Sequence, residues 1–141
     1  MKNRNFNGVQ INQSVTIVEK AGTDISDCRN RIMVYDDNGD VVLAEDATKP
    51  VVGVALLEAG YNDISGKAAG FVASGDDVDI QIKDIGFVLA GAEIAKGAEV
   101  AAGAEGLAKP AETGEFVVGM ALSPAEEGEF LRIHIIKYQK N

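Results

Sequence analysis

Val51-Val52-Gly53-Val54-Ala55-Leu56 returns 66 residues later as Val117-Val118-Gly119-Met120-Ala121-Leu122, identical at five of six positions. A word repeated in this way within a chain of 141 residues marks a duplicated unit, and a unit of that size is too small to bury a core alone. The copies have to pack against each other. Valine dominates both words, as suits strands, and a glycine at the third position of each signals a bulge or a close backbone approach. Upstream, Gly39-Asp40-Val41 faces Glu105-Gly106-Leu107 at the same spacing, and Pro50 and Pro110 lie in the linkers before the repeated strands. Downstream, Val78, Ile80 and Ile82 alternate with Asp77, Asp79, Gln81 and Lys83, a dry row backed by a wet one. Leu131, Ile133 and Ile135 answer them, alternating with Arg132 and His134, after a connection 13 residues shorter.

Working outward, Ile32 and Val34 on one side and Val41, Val42 and Leu43 on the other flank Asp36-Asp37-Asn38-Gly39-Asp40. Asn-Gly between apolar runs predicts a hairpin closed by a type I′ turn, because both residues tolerate positive φ. Between the repeats, Gly86 to Gly97 reads as a strand running into a Gly-bounded turn. The expected fold is all-β: a small compact β-barrel or sandwich built from two degenerate repeats, at about 31–83 and 97–136, with an extended N-terminal arm. The arm covers 1–18 and the single β-rich domain 19–141. Asparagine and glutamine dominate the arm, whose front part up to Gly8 is too polar to hold itself in place. Its later apolar residues, Val9, Ile11, Val15 and Ile17, suit a strand added to a sheet edge in this molecule or in a neighbour.

Charge is distributed unevenly. The net charge is −9, yet all 22 acids fall between Glu19 and Glu129; of the 13 bases, two precede that span and three follow it. The remaining eight leave the central body at −14, which repels phosphate backbones, so nucleic acid is not an expected partner. No apolar run approaches 18 residues and Met1 to Gly8 lacks the apolar block of a signal peptide, so a membrane partner is not expected either. One cysteine, Cys28, and one histidine, His134, provide neither an internal disulfide nor the usual soft ligands of zinc.

Reactive constellations are sparse. Asp36, Asn38 and Asp40 have the oxygen spacing of a calcium loop, but Val41 and Ala47 stand where such a loop needs glycine and a bidentate glutamate. Phosphate-cradling glycine loops and a nucleophile elbow lack their starting residues. Asp76, Asp77 and Asp79 are the nearest approach to a carboxylate pair for a small hydrolase, and read better as a solvated turn and strand face. His134 reads as a surface or interface side chain, and Cys28 as a small half-buried residue despite Arg29 beside it. Asn12-Gln13-Ser14 fits a glycosylation triplet with no secretory signal to deliver it. Lys67 invites comparison with lipoyl and biotinyl carrier domains, yet Gly66 precedes it and it lies off the centre of the repeat. The sequence therefore points to no catalytic, cofactor-binding or metal-binding residues and to a protein that is not an enzyme.

Pro50-Val51-Val52-Gly53-Val54-Ala55-Leu56, then Gly86-Phe87 with Ala90-Gly91-Ala92-x-Ile94-x-x-Gly97-x-x-Val100, then Val117 to Leu122 and a terminal strand form an ordered series over residues 30 to 136. In order and spacing it resembles the capsid decoration, or cement, proteins of tailed bacteriophages. That resemblance implies a virion structural protein on the outer surface of a mature capsid, homotrimeric, made in the host cytoplasm and bridging neighbouring subunits of the major capsid protein. It implies a capsid-binding arm, for which Lys2, Arg4 and Phe6 are the expected anchors, with Val9 and Ile11 pairing along a coat strand. The alternatives are a β-barrel carrier or ligand-binding module and, after that, the small hydrolase.

Overall fold

The computed structural model describes residues 15–56, 59–61 and 68–141. Among these residues ten strands alternate with tight turns: β1 (Thr16–Lys20), β2 (Ile32–Tyr35), β3 (Val41–Leu43), β4 (Val51–Ala55), β5 (Asp77–Gln81), β6 (Asp84–Leu89), β7 (Glu99–Ala102), β8 (Ala108–Pro110), β9 (Phe116–Ala121) and β10 (Phe130–Gln139). The described residues contain no α-helix, only a 3-10 turn at Ala104–Gly106. One antiparallel sheet runs β1-β5-β4-β2-β3 and the other β6-β10-β9-β7-β8. The second order is the first with every strand advanced by five, so the duplication inferred from the Val-Val-Gly words is a duplication of topology. The chain is all-β and sandwich-like, and its sheets stay open instead of closing into a barrel.

Hydrogen bonding repeats with the strand order. Met33 stands opposite Gly53 and Val100 opposite Gly119; Ala55 opposite Ile80 and Ala121 opposite Ile133. Single bridges recur too, Ala21 with Val41 and Ala90 with Ala108, Ile25 with Val72 and Ile94 with Ala125. Thr16–Lys20, which spans the expected end of the arm at residue 18, is the edge strand that Val15 and Ile17 suggested, added within this molecule, and the counterpart of β6. The pairing of Leu56 N with Asp79 O matches that of Leu122 N with Arg132 O, which places the extra length of the first unit between Leu56 and Val72.

The Val-Val-Gly strands are held by close backbone packing. The pairing of each shifts register beside its glycine. A Cβ at Gly53 would overlap the carbonyl oxygen of Gln81 and stand 2.8 Å from Ile80 Cγ2; one at Gly119 would overlap the carbonyl oxygen of His134. These are equivalent contacts in the two units, and they let the sheet bend at its central strand.

Around Asn38-Gly39 the hairpin forms, but the turn differs from the expected type I′. Asp36 N and Asp40 O pair at 2.8 Å, Gly39 alone takes positive φ (85°), and the Asp36 carboxylate accepts from Asn38 N at 2.8 Å and Asp40 N at 3.0 Å. An aspartate able to gather two backbone donors favours a three-residue loop ending in a left-handed glycine over the two-residue turn.

Each sheet has an inner face, carrying Val78 and Ile80 or Leu131 and Ile133, and an outer face, carrying Asp77 and Asp79 or Phe130 and Arg132. The first inner face is roofed by its own loops, with Ala21, Ile25, Cys28, Ala59 and Val72 joining Met33, Val41, Val78 and Ile80 in one cluster. The outer side of β2 and β4, namely Ile32, Val34 and Val54, joins Val88, Leu131, Ile133 and Ile135 of the second unit in the main core. Polar ties close the seam: Asn30 Nδ2 donates to Phe87 O at 3.1 Å, Leu89 N to Asn30 O at 3.0 Å, and Lys137 Nζ to Val52 O at 2.8 Å. Gln81, expected on the wet row, is buried at 7% exposure and donates to Lys83 O and Ile85 O, bracing the link between the sheets.

Gly53→Ala and Gly119→Ala should each destabilise the protein by about 1–3 kcal/mol in urea unfolding, the usual cost of overpacking a tight site. Gly103→Ala, where a Cβ would meet its nearest atom at 3.6 Å, should change stability by under about 0.5 kcal/mol.

Candidate functional site

Lys2, Arg4, Phe6, Val9 and Ile11, the expected arm anchors, lie outside the described residues, as does Lys67. The place from which the arm departs is described. Val15 accepts from Ile82 N at 3.1 Å, and β1 follows as the outermost strand of the first sheet among the described residues, where it pairs with β5. Val18 is exposed on it, and Lys20 donates to Asp77 at 2.8 Å, a charged guard on a sheet edge. That contact raises the Lys20 pKa, first through the hydrogen bond and then through the charge of Asp77.

Of the three neighbouring aspartates, Asp77 is engaged by Lys20 and Asp79 stands opposite Val18 on the outer face. With Asp76 they border a shallow depression of about 200 Å³ beside Tyr61 and Phe71. No cluster of three or more histidine, cysteine or carboxylate side chains suited to a metal ion occurs among the described residues. A wider groove of about 670 Å³ lies at the end of the second unit, lined by Glu93, Lys96, Pro110, Pro124, Glu126 and Glu129.

Cys28 is fully buried, and burial, followed by the charge of Asp27, pushes its thiol up to about 11. Arg29 does not activate it, because its guanidinium grips Asp27 through two hydrogen bonds of 2.9 Å. The same grip holds the Asp27 carboxyl below its usual range despite partial burial.

His134 is exposed at the centre of the outer face of the second sheet, with Ile85 on one side and Met120 on the other. Arg132 stands beside Phe87, and Phe130 beside Leu89. Together these residues make an apolar face that the sequence reading missed. Its signal was present: alternation that sends Leu131 and Ile133 inward sends Phe130 outward, and a large aromatic on the wet row of a strand is out of place.

No family model matches the chain, and no curated protein does. Among solved structures it is similar to the crystal structure of the head fiber gp8.5 N base of bacteriophage phi29, with a TM-score of 0.58 at 20% identity, over 92% of this chain and 99% of that one. The likeness is one of fold.

The Cys28 thiol should resist a thiol-specific reagent in native buffer and react at once in denaturant; rapid labelling of the native protein would contradict its burial. Because the Asp27 pKa is lowered in the folded state, its stabilisation is complete above the ordinary aspartate value and is lost as pH falls through the lowered one. Asp27→Asn should therefore lower the urea midpoint at neutral pH, and the gap to wild type should narrow progressively as pH falls below the ordinary aspartate value.

Proposed function

We propose that this chain is a structural protein of a tailed-phage head, which docks on the outer surface of the mature capsid and stabilises it by bridging neighbouring subunits of the major capsid protein. The observation that carries the reading is the fold match to a phage head fiber base, which takes in 99% of that chain. The ordered Val-Val-Gly series supports the same assignment independently, since it resembles decoration proteins in sequence. In this reading the protein is not an enzyme, acts as a homotrimer and needs no cofactor; its place is the virion surface after assembly in the host cytoplasm.

Binding is then the activity itself. A protein that touches two coat subunits in the mature lattice, and fits the immature lattice poorly, lowers the free energy of the mature state by its differential affinity. Lys2, Arg4 and Phe6 anchor the arm to the coat, and Val9 and Ile11 pair along a coat strand. A contact of standard size buries roughly 800 Å² per partner, and the arm supplies part of that area. A second reading follows from the printed description of the similar structure: the domain is the base of a head fibre, fixed to the shell by the same contacts and carrying a further element outward.

Purified protein mixed with expanded, undecorated heads should bind saturably and raise their resistance to heat. Removal of residues 1–13 should weaken that binding at least ~10-fold, about 1.4 kcal/mol, with an unchanged circular dichroism spectrum. Absence of saturable binding would overturn the reading; full affinity without the arm would remove only the arm's role.

A further inference from the structure

The two repeats provide an internal comparison of what each outer face meets. In the first unit Thr16, Val18 and Lys20 line β1, with Asp77 and Asp79 opposite them on β5. The equivalent residues in the second unit are Ile85, Phe87 and Leu89 on β6, with Phe130 and Arg132 on β10. At these positions of the same fold Thr16, Lys20 and Asp77 give way to Ile85, Leu89 and Phe130, Val18 to the larger Phe87, and Asp79 to a cation, Arg132. Phe87 is 53% exposed and Phe130 58%. The strand pairing does not account for the change, because it is shared by the two units.

The β4/β2 half of this face differs in the opposite sense. Val54 on the first sheet is 2% exposed because the second unit covers it, together with Ile32 and Val34. Its counterpart Met120 is 40% exposed, adjoins His134 and is covered by nothing comparable among the described residues. In the one place where the molecule shows this face occupied, the occupant is a repeat unit of the same chain.

We infer that the outer face of the second sheet, centred on Phe87, Phe130 and Met120, is where a second copy of this chain docks. Charge favours the same occupant. Two copies at −9 each repel, yet the residues from Ile85 across to Met120 include a cation and no carboxylate. Arg132 forms no ion pair among the described residues, whereas Glu99, which borders the face opposite Met120, is held by Lys140 at 3.2 Å and by the Tyr138 hydroxyl. Copies rotated about an axis beside this face bring its aromatic rings together and set Arg132 of one against the acidic body of the next. The interface gives the proposed trimer its contact surface, and it rests on the head-protein reading only for that stoichiometry.

Sedimentation of the full chain without heads tests it. Wild type should sediment as a closed oligomer at micromolar concentration. Phe87→Glu with Phe130→Glu should weaken association at least ~100-fold, as expected for loss of two central aromatic contacts, and leave single chains with the same circular dichroism. Val18→Glu, at the position equivalent to Phe87, should remain assembled. If the double variant does not fold, Arg132→Glu, which alters only an exposed side chain, should weaken association by itself. A wild type that sediments as one chain throughout, or undiminished assembly of the folded variants, would overturn the inference. An oligomer that ignores heads would overturn the proposed function and leave this interface standing; a single chain that binds heads would do the reverse.

Discussion

Burial of Ile32, Val34 and Val54 against Val88, Leu131, Ile133 and Ile135 is the contact on which the rest of the molecule depends. Full burial of a side chain of this size contributes about 1.5–3 kcal/mol relative to exposure. Three on the first sheet alone approach the ~5–15 kcal/mol that separates a folded domain from its unfolded chain. The first unit has a roof of its own loops over its inner face, whereas the core of the second is completed by the outer side of β2 and β4. The units thus play different parts in one core, although their strand orders are the same. That asymmetry leaves the outer face of the first sheet covered over β2 and β4 and that of the second exposed from Ile85 to Met120, while its Ala101 and Val117 are buried with Ala47 and Ala111.

The parts of this arrangement that were legible in the sequence are those set by repetition over short distances. The Val-Val-Gly words sit at the same central position of both sheets, and their glycines meet the carbonyls of Gln81 and His134 as a close backbone approach requires. Alternation placed Leu131 and Ile133 inside and His134 outside correctly, because a sheet with one buried face enforces period two. The first strand of each unit was harder to see. Thr16–Lys20 and Ile85–Leu89 share almost no residues, since one borders a polar surface and the other an apolar one. Their kinship survives in the turn that follows, where Ala21-Gly22-Thr23-Asp24-Ile25 matches Ala90-Gly91-Ala92-Glu93-Ile94. Both alanines and both isoleucines are buried at bridges that close the unit, so packing preserves them while the strands before them diverge.

Two local departures have the same origin, competition between a backbone preference and a side chain with something better to do. Asn-Gly favours a two-residue turn, but Asp36 gathers two backbone donors in the longer loop. Gln81 belongs by alternation to a wet face, yet it lies where the chain crosses from one sheet to the next and its amide satisfies two carbonyls there. Neither outcome is encoded in the stretch of sequence that carries the residue; both depend on what the chain brings alongside.

The proposed docking surface was less legible than the fold for a related reason. Catalysis announces itself through rare residues at fixed spacing, whereas adhesion to a large partner uses ordinary ones whose meaning lies in which way they face. Phe87 and Phe130 are unremarkable in a list of apolar residues and become informative only once register places them outward beside Arg132. Duplication makes the deviation measurable, because the first unit shows what this fold carries at those positions when they face water. Where one repeat retains Thr16, Val18, Asp77 and Asp79 and the other has Ile85, Phe87, Phe130 and Arg132, the shared structural demand cancels. What is left over is the demand of whatever lies outside.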